Sequence, residues 1–91
     1  MFDDIQAIKR ASRLAGSHFF CPETMRFFGS RISSKVIGGR YFVTCEDDFS
    51  KSRRLYTVRK ATWGRIETVG EFQQFPTLKT AKAFARKQPE D

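Results

Sequence analysis

The side chains that most often do chemistry are sparse in this chain and poorly spaced for it. Nucleophilic catalysis needs a histidine beside a cysteine or serine, and the one histidine, His18, sits next to Phe19 and Phe20. That setting fits a partly buried structural imidazole. Cys21 and Cys45 lie far apart with no C-x-x-C spacing, so they read as two reduced thiols and, with a single histidine, cannot complete a four-ligand zinc site. Glu46-Asp47-Asp48 is the one carboxylate cluster, and neighbouring residues of a strand or loop point different ways, so a solvated loop is expected and not a metal site. Gly38-Gly39 lacks the lysine and further glycines of a phosphate loop and reads as a turn. These features predict a protein that is not an enzyme, with no metal, no cofactor and no small-molecule substrate.

Charge is the chemistry the sequence does carry. The 91 residues have a net charge of +7, and residues 31–65 hold nine basic against three acidic side chains, whereas the segments before and after are close to balanced. A positive field concentrated in this way attracts phosphate or an acidic protein surface. Arg40, Arg53, Arg54, Arg59, Lys60 and Arg65 are the candidates, with Tyr56 or Trp63 offering a stacking surface for bases. The opposing reading is that these residues alternate across two faces of a sheet, half of them bordering the core and pairing with Glu46, Glu67 and Glu71. A second candidate patch joins Arg26, Phe27, Phe28 and Arg31, since rigid aromatics and arginine are what protein interfaces use.

The elements that must position these residues follow from periodicity. Residues 3–15 place Ile5, Ile8, Ala11, Ser12 and Ala15 at helical spacing, with Leu14 beside the stripe, Asp3 as cap and Gly16 as stop. Pro22 and Gly29 bracket a short second helix, with Cys21 at its cap position and the surrounding phenylalanines assigned to the core. From Arg31 the period becomes 2: a strand to Ile37, a Gly38-Gly39 turn, a strand over Arg40–Glu46, a polar loop over Glu46–Arg53 that shares Glu46 with it, a third strand over Arg54–Lys60, a turn at Ala61–Gly64, and a fourth strand over Arg65–Phe72 with a bulge at Gly70. A helix over Leu78–Gln88, capped by Thr77 and stopped by Pro89, closes the chain. The expected fold is a single α+β domain: two helices, a four-stranded antiparallel sheet and a C-terminal helix packed on it. No run reaches the eighteen or so apolar residues of a membrane helix, and the acidic start is unlike a signal peptide, so a cytoplasmic protein without membrane contact is expected.

Four stretches, HFFCPETMRFFGSRI, GGRYFVTCE, YTVR and TVGEFQQF, resemble a group of small uncharacterised proteins of phages, plasmids and other mobile elements, over about Ile8 to Phe84. Cys21 departs from that group, which has a small polar residue capping the second helix. The resemblance implies a mobile-element setting, where short proteins bind nucleic acid or obstruct a host or defence protein. The second half is also similar, through Arg59, Trp63 and Arg65, to the sheet-type DNA-binding domains of plant ethylene-response regulators and integrase arms. Two expectations result: a basic accessory protein binding nucleic acid, DNA foremost, through the sheet; or an interaction module that inhibits or redirects a host or defence protein through an acidic patch on that partner.

Overall fold

The computed structural model describes residues 2–47, 54–62 and 65–89. Helix α1 (Ile5–Leu14) begins one residue later than its sequence suggests. Asp4, not Asp3, holds the extended cap conformation and accepts from the Ala7 amide at 2.9 Å. Helix α2 (Pro22–Phe28) follows its punctuation closely: Pro22 opens it, and Gly29 closes it in the left-handed region at φ 61°. Cys21 occupies the cap position without capping; its thiol donates instead to Glu23 at 3.3 Å, and that carboxylate raises the thiol pKa.

Strands β1 (Arg31–Ile32), β2 (Tyr41–Asp47), β3 (Arg54–Thr62) and β4 (Arg65–Val69) form one antiparallel sheet in the order β1-β2-β3-β4. Several strand boundaries differ from expectation. The first strand was expected to reach Ile37 but spans two residues. Ile32 faces Thr44, yet the next pairing is Ile37 with Tyr41, so the outer chain carries two residues more than its partner. The Ser34 hydroxyl bridges the slip by accepting from the Val43 amide at 2.8 Å. Strand β2 reaches Glu46 as expected and runs on to Asp47; Glu46 is buried at 1% exposure and so does not also begin a solvated loop. Ala61 and Thr62 belong to β3 and not to a turn, while Trp63 and Gly64 lie outside the described residues.

The fourth strand stops at Val69. Regular pairing would place Glu71 opposite Tyr56, but Phe75 sits there, so residues 70–74 leave the ladder as a loop. Gly70 turns the chain at φ 80° and Gln73 adopts φ 57°. The Gln73 amide is satisfied by Thr57 Oγ1 at 2.8 Å, and the Glu71 amide by Gln74 Oε1 at 2.9 Å.

Alternation along β2 and β3 sends apolar residues to both faces of the sheet, and each face is covered. On one side, Tyr41, Val43 and Val58 receive Ala81 and Ala85 of α3 (Leu78–Arg86), two small residues that let the helix approach closely. Tyr41 donates its phenol proton to the Pro89 carbonyl at 2.7 Å and ties down the chain end. On the other side, Phe42 and Ala61 meet Ile8 of α1, with Phe19 and Phe20 in edge-to-face contact at 4.8 Å between ring centroids. The protein is therefore α+β, as expected, with helices on both faces of the four-stranded sheet.

Replacing Ser34 with alanine strands the Val43 amide inside the fold and should destabilise by about 1–3 kcal/mol. Thr77, which caps α3 by accepting from the Thr80 amide at 3.2 Å, should cost about 0.5–2 kcal/mol when changed to alanine. Urea denaturation of both variants checks the ranking, and an S34A midpoint equal to wild type would exclude the bridging role of the hydroxyl.

Candidate functional site

The sheet does not collect the expected arginines into one stripe. Arg59 faces Phe42 and Thr68 across the ladders, on the side of α1 and α2, whereas Lys60 faces Tyr41 and Glu67 and Arg65 faces Thr62, on the side of α3. Arg54 shares the α3 side by register and is held there, its Nε donating to Cys45 Sγ at 3.1 Å and an Nη to the Gly29 carbonyl at 3.4 Å. Arg40 is half-buried next to the Gly38-Gly39 turn; Arg26 and Arg31 are exposed. Arg53 and Trp63 lie outside the described residues, as do the side chains of Phe27 and Phe28. His18, expected to be partly buried, is exposed, because the two phenylalanines after it take the inward positions.

Arg59 is the most constrained of these residues, at 9% exposure. Its Nε donates to Thr44 Oγ1 at 3.1 Å, Nη1 to Thr68 Oγ1 at 2.8 Å and Nη2 to Glu46 Oε2 at 3.4 Å. The rings of Phe19 and Phe72 lie 5.2 and 5.6 Å from the guanidinium carbon. Burial lowers the Arg59 pKa, and the Glu46 carboxylate partly offsets that effect. Glu46 also accepts from Ser30 at 2.9 Å and from Thr57 at 3.0 Å. Strands β2, β3 and β4, the end of α2 and the 70–74 loop thus share one polar network. Above it opens a pocket of about 250 Å³ walled by Phe19, Thr24, Met25, Ser30, Arg59 and Phe72.

A different surface gathers cations on the α3 side. A groove of about 520 Å³ runs between residues 32–37 and α3, with Lys35, Lys82, Arg86 and Ser33 in its walls and no carboxylate among its lining residues. None of Lys35, Lys82 and Arg86 is among the candidates that the sequence singled out. The available signal was the spacing of Lys79, Lys82 and Arg86 along one side of α3. Regular pairing continued from β1 would already place Lys35 opposite Tyr41 on the α3 side, and the longer outer chain keeps it there, in the groove wall.

Neither surface has the makings of a metal centre: among the described residues, no three histidine, cysteine or carboxylate side chains are grouped to hold an ion. Both cysteines are free. No helix among the described residues is long and apolar enough to cross a membrane.

The model of a family of unknown function, DUF7447, matches residues 4–86. The chain belongs to this family. The DUF7447 match takes in every helix and strand from α1 to α3, so the Glu46–Arg59 network and the cationic groove both lie within the family's domain. No curated protein and no solved structure matches the chain.

Removing either member of the buried pair leaves the other charged and uncompensated, so Glu46→Leu and Arg59→Met should each destabilise by about 3–5 kcal/mol. The double variant, which removes both charges, should recover much of that loss. Equilibrium urea unfolding of the two single variants and the double variant measures the coupling directly, and strictly additive losses would refute it.

Proposed function

We propose that this protein binds nucleic acid, duplex DNA foremost, through the face that carries α3, acting as a non-catalytic accessory protein of a phage or mobile element. The observation that carries this reading is the groove whose walls bring Lys35, Lys82 and Arg86 together without a lining carboxylate. Among the described residues no ion pair joins these three to a carboxylate; Asp3 and Asp4 line a neighbouring pocket on the other side of Lys35, so Lys82 and Arg86 are the cations most clearly given to the groove. Arg31 and Arg65 lie on the same side of the sheet by register and extend the positive area, while Lys60 on that side faces Glu67. An arginine head group can grip a phosphate through two N–H donors, while lysines act as point charges beside it. Such contacts position a backbone and read no sequence, which fits a surface that has no aromatic side chain in the groove wall.

The resemblance to mobile-element proteins supports the same reading, because a small basic protein of that setting meets nucleic acid throughout its working life. The binding surface, however, differs from the sheet stripe expected at first: Arg59 is committed to Glu46, and the positive area centres on α3 and its flanks.

Neutralising three phosphates gives a salt slope of about −2.7, so affinity should fall roughly fortyfold between 50 and 200 mM salt. Fluorescence anisotropy with labelled duplex DNA, single-stranded DNA and RNA measures this. The double variant Lys82→Glu/Arg86→Glu should lose at least about tenfold in affinity at low salt, while Arg26→Glu, on the α2 side, should lose little. No binding at low salt would overturn the proposal, and so would equal losses in the two variants, which would reduce the effect to net charge.

A further inference from the structure

The pocket above Arg59 faces away from the cationic groove and has a different chemistry. At about 250 Å³ it is larger than the ~150 Å³ apolar cavity that takes a benzene ring, so a substituted aromatic ring fits. Phe19, Met25 and Phe72 supply an apolar lining, and Phe72 stands 50% exposed, a large ring half in water at the wall of an open site. The loop that carries Phe72 is fixed by the Gln73–Thr57 and Glu71–Gln74 hydrogen bonds, so the site is preformed.

Its polar groups narrow the occupant. A guanidinium has five N–H donors, and Arg59 uses one on each nitrogen, so each terminal nitrogen keeps one N–H without an acceptor among the described residues. The occupant should therefore carry an acceptor. It should not be an anion, because Glu46 already offsets the Arg59 charge and a second carboxylate or a phosphate would be buried without compensation. A nucleic-acid strand is disfavoured for the same reason: Glu23, beside Thr24, and Glu71, beside Phe72, are exposed carboxylates next to the pocket walls.

We propose that this pocket takes a tyrosine side chain presented by a protein partner, the ring packing on Phe72 and Met25 and the phenol oxygen accepting from Arg59. Phenol and neutral imidazole are the uncharged aromatic side chains whose polar atom can accept; phenol stays neutral at physiological pH, where imidazole readily becomes a second cation beside Arg59, whereas indole N–H only donates and a phenyl ring has no acceptor. The thioether of Met25 adapts to a ring face, and a buried tyrosine hydroxyl requires a partner such as the one Arg59 provides. Arg26, exposed on α2, would then lie on the surrounding interface.

Titrating the whole protein with N-acetyl-tyrosinamide while following the Met25 methyl resonance by NMR tests this. The expected result is a saturable shift in the millimolar range, suited to so small a ligand. N-acetyl-phenylalaninamide should bind about fivefold more weakly for want of the acceptor, and the phosphotyrosine analogue more weakly than either. Phe72→Ala, at a half-exposed position that leaves the fold intact, should weaken binding about tenfold. Thr24→Phe, which fills the pocket from α2, should block it. Absence of a saturable shift overturns the proposal. Tighter binding of the phosphorylated analogue, or displacement of the tyrosine amide by a single-stranded oligonucleotide, would overturn it in favour of an anionic or a nucleobase occupant.

Discussion

The Glu46–Arg59 pair is the constraint to which most of the structure answers. Two opposite charges are removed from water on one face of a small sheet, and their attraction alone does not repay that desolvation. What makes the arrangement tenable is the surrounding set of hydroxyls. Thr44 and Thr68 accept from the guanidinium, and Ser30 and Thr57 donate to the carboxylate. Each comes from a different place in the chain, so the pair can be satisfied only when β2, β3, β4 and the end of α2 are all in register. An apolar cluster of the same volume would tolerate small slips; this network does not. Its value is specificity of packing more than net stability.

Both departures from regular sheet pairing obey the same rule that buried backbone donors must be satisfied. After β1 the Ser34 hydroxyl takes the Val43 amide, and after β4 the Thr57 hydroxyl takes the Gln73 amide. Each hydroxyl lets the outer chain leave the ladder without stranding a donor. The consequences differ because the departures face opposite sides. The first leaves Ser33, Ser34 and Lys35 in the wall of the cationic groove; the second carries Phe72 over Arg59 and walls the apolar pocket. Two surfaces of unlike chemistry thus arise from the two edges of one sheet.

Periodicity and punctuation made most of the fold legible. The Pro22 to Gly29 helix, the Thr77 cap and the switch from a helical to an alternating pattern at Arg31 are local signals, and local signals survive folding. Glu46 was legible as the end of a strand but not as a buried residue, because a run of three acidic residues normally marks a solvated turn, and nothing nearby in sequence announces that Arg59 will neutralise the first of them. Gly70 marked an irregularity in the fourth strand, but the β1 slip and the extent of the 70–74 loop were not legible, for a related reason. A serine or threonine hydroxyl that replaces a ladder bond looks, in sequence, like any other polar residue of a strand. The possibility that basic residues would divide between faces and pair with Glu46 was open in the alternation itself, and for Arg59 that is what the register enforces.

The same division alters the meaning of the net charge. Residues 31–65 contain the chain's positive excess, yet within that segment Arg59 is turned inward to Glu46 and Arg54 is bound to Cys45 and Gly29. Among the described residues, the cations of this segment left on the α3 side of the sheet or at the groove are Arg31, Lys35, Lys60 and Arg65, joined by the cations of α3, a helix whose own segment is electrically balanced in sequence. Among the described residues of that segment, Glu67 lies on the edge strand opposite Lys60 and Glu71 in the loop beyond it, while Lys82 and Arg86 line the groove. Charge counted along a chain predicts solubility and the sign of a partner; the place where that partner would bind is set by hydrogen-bonded pairs and strand register.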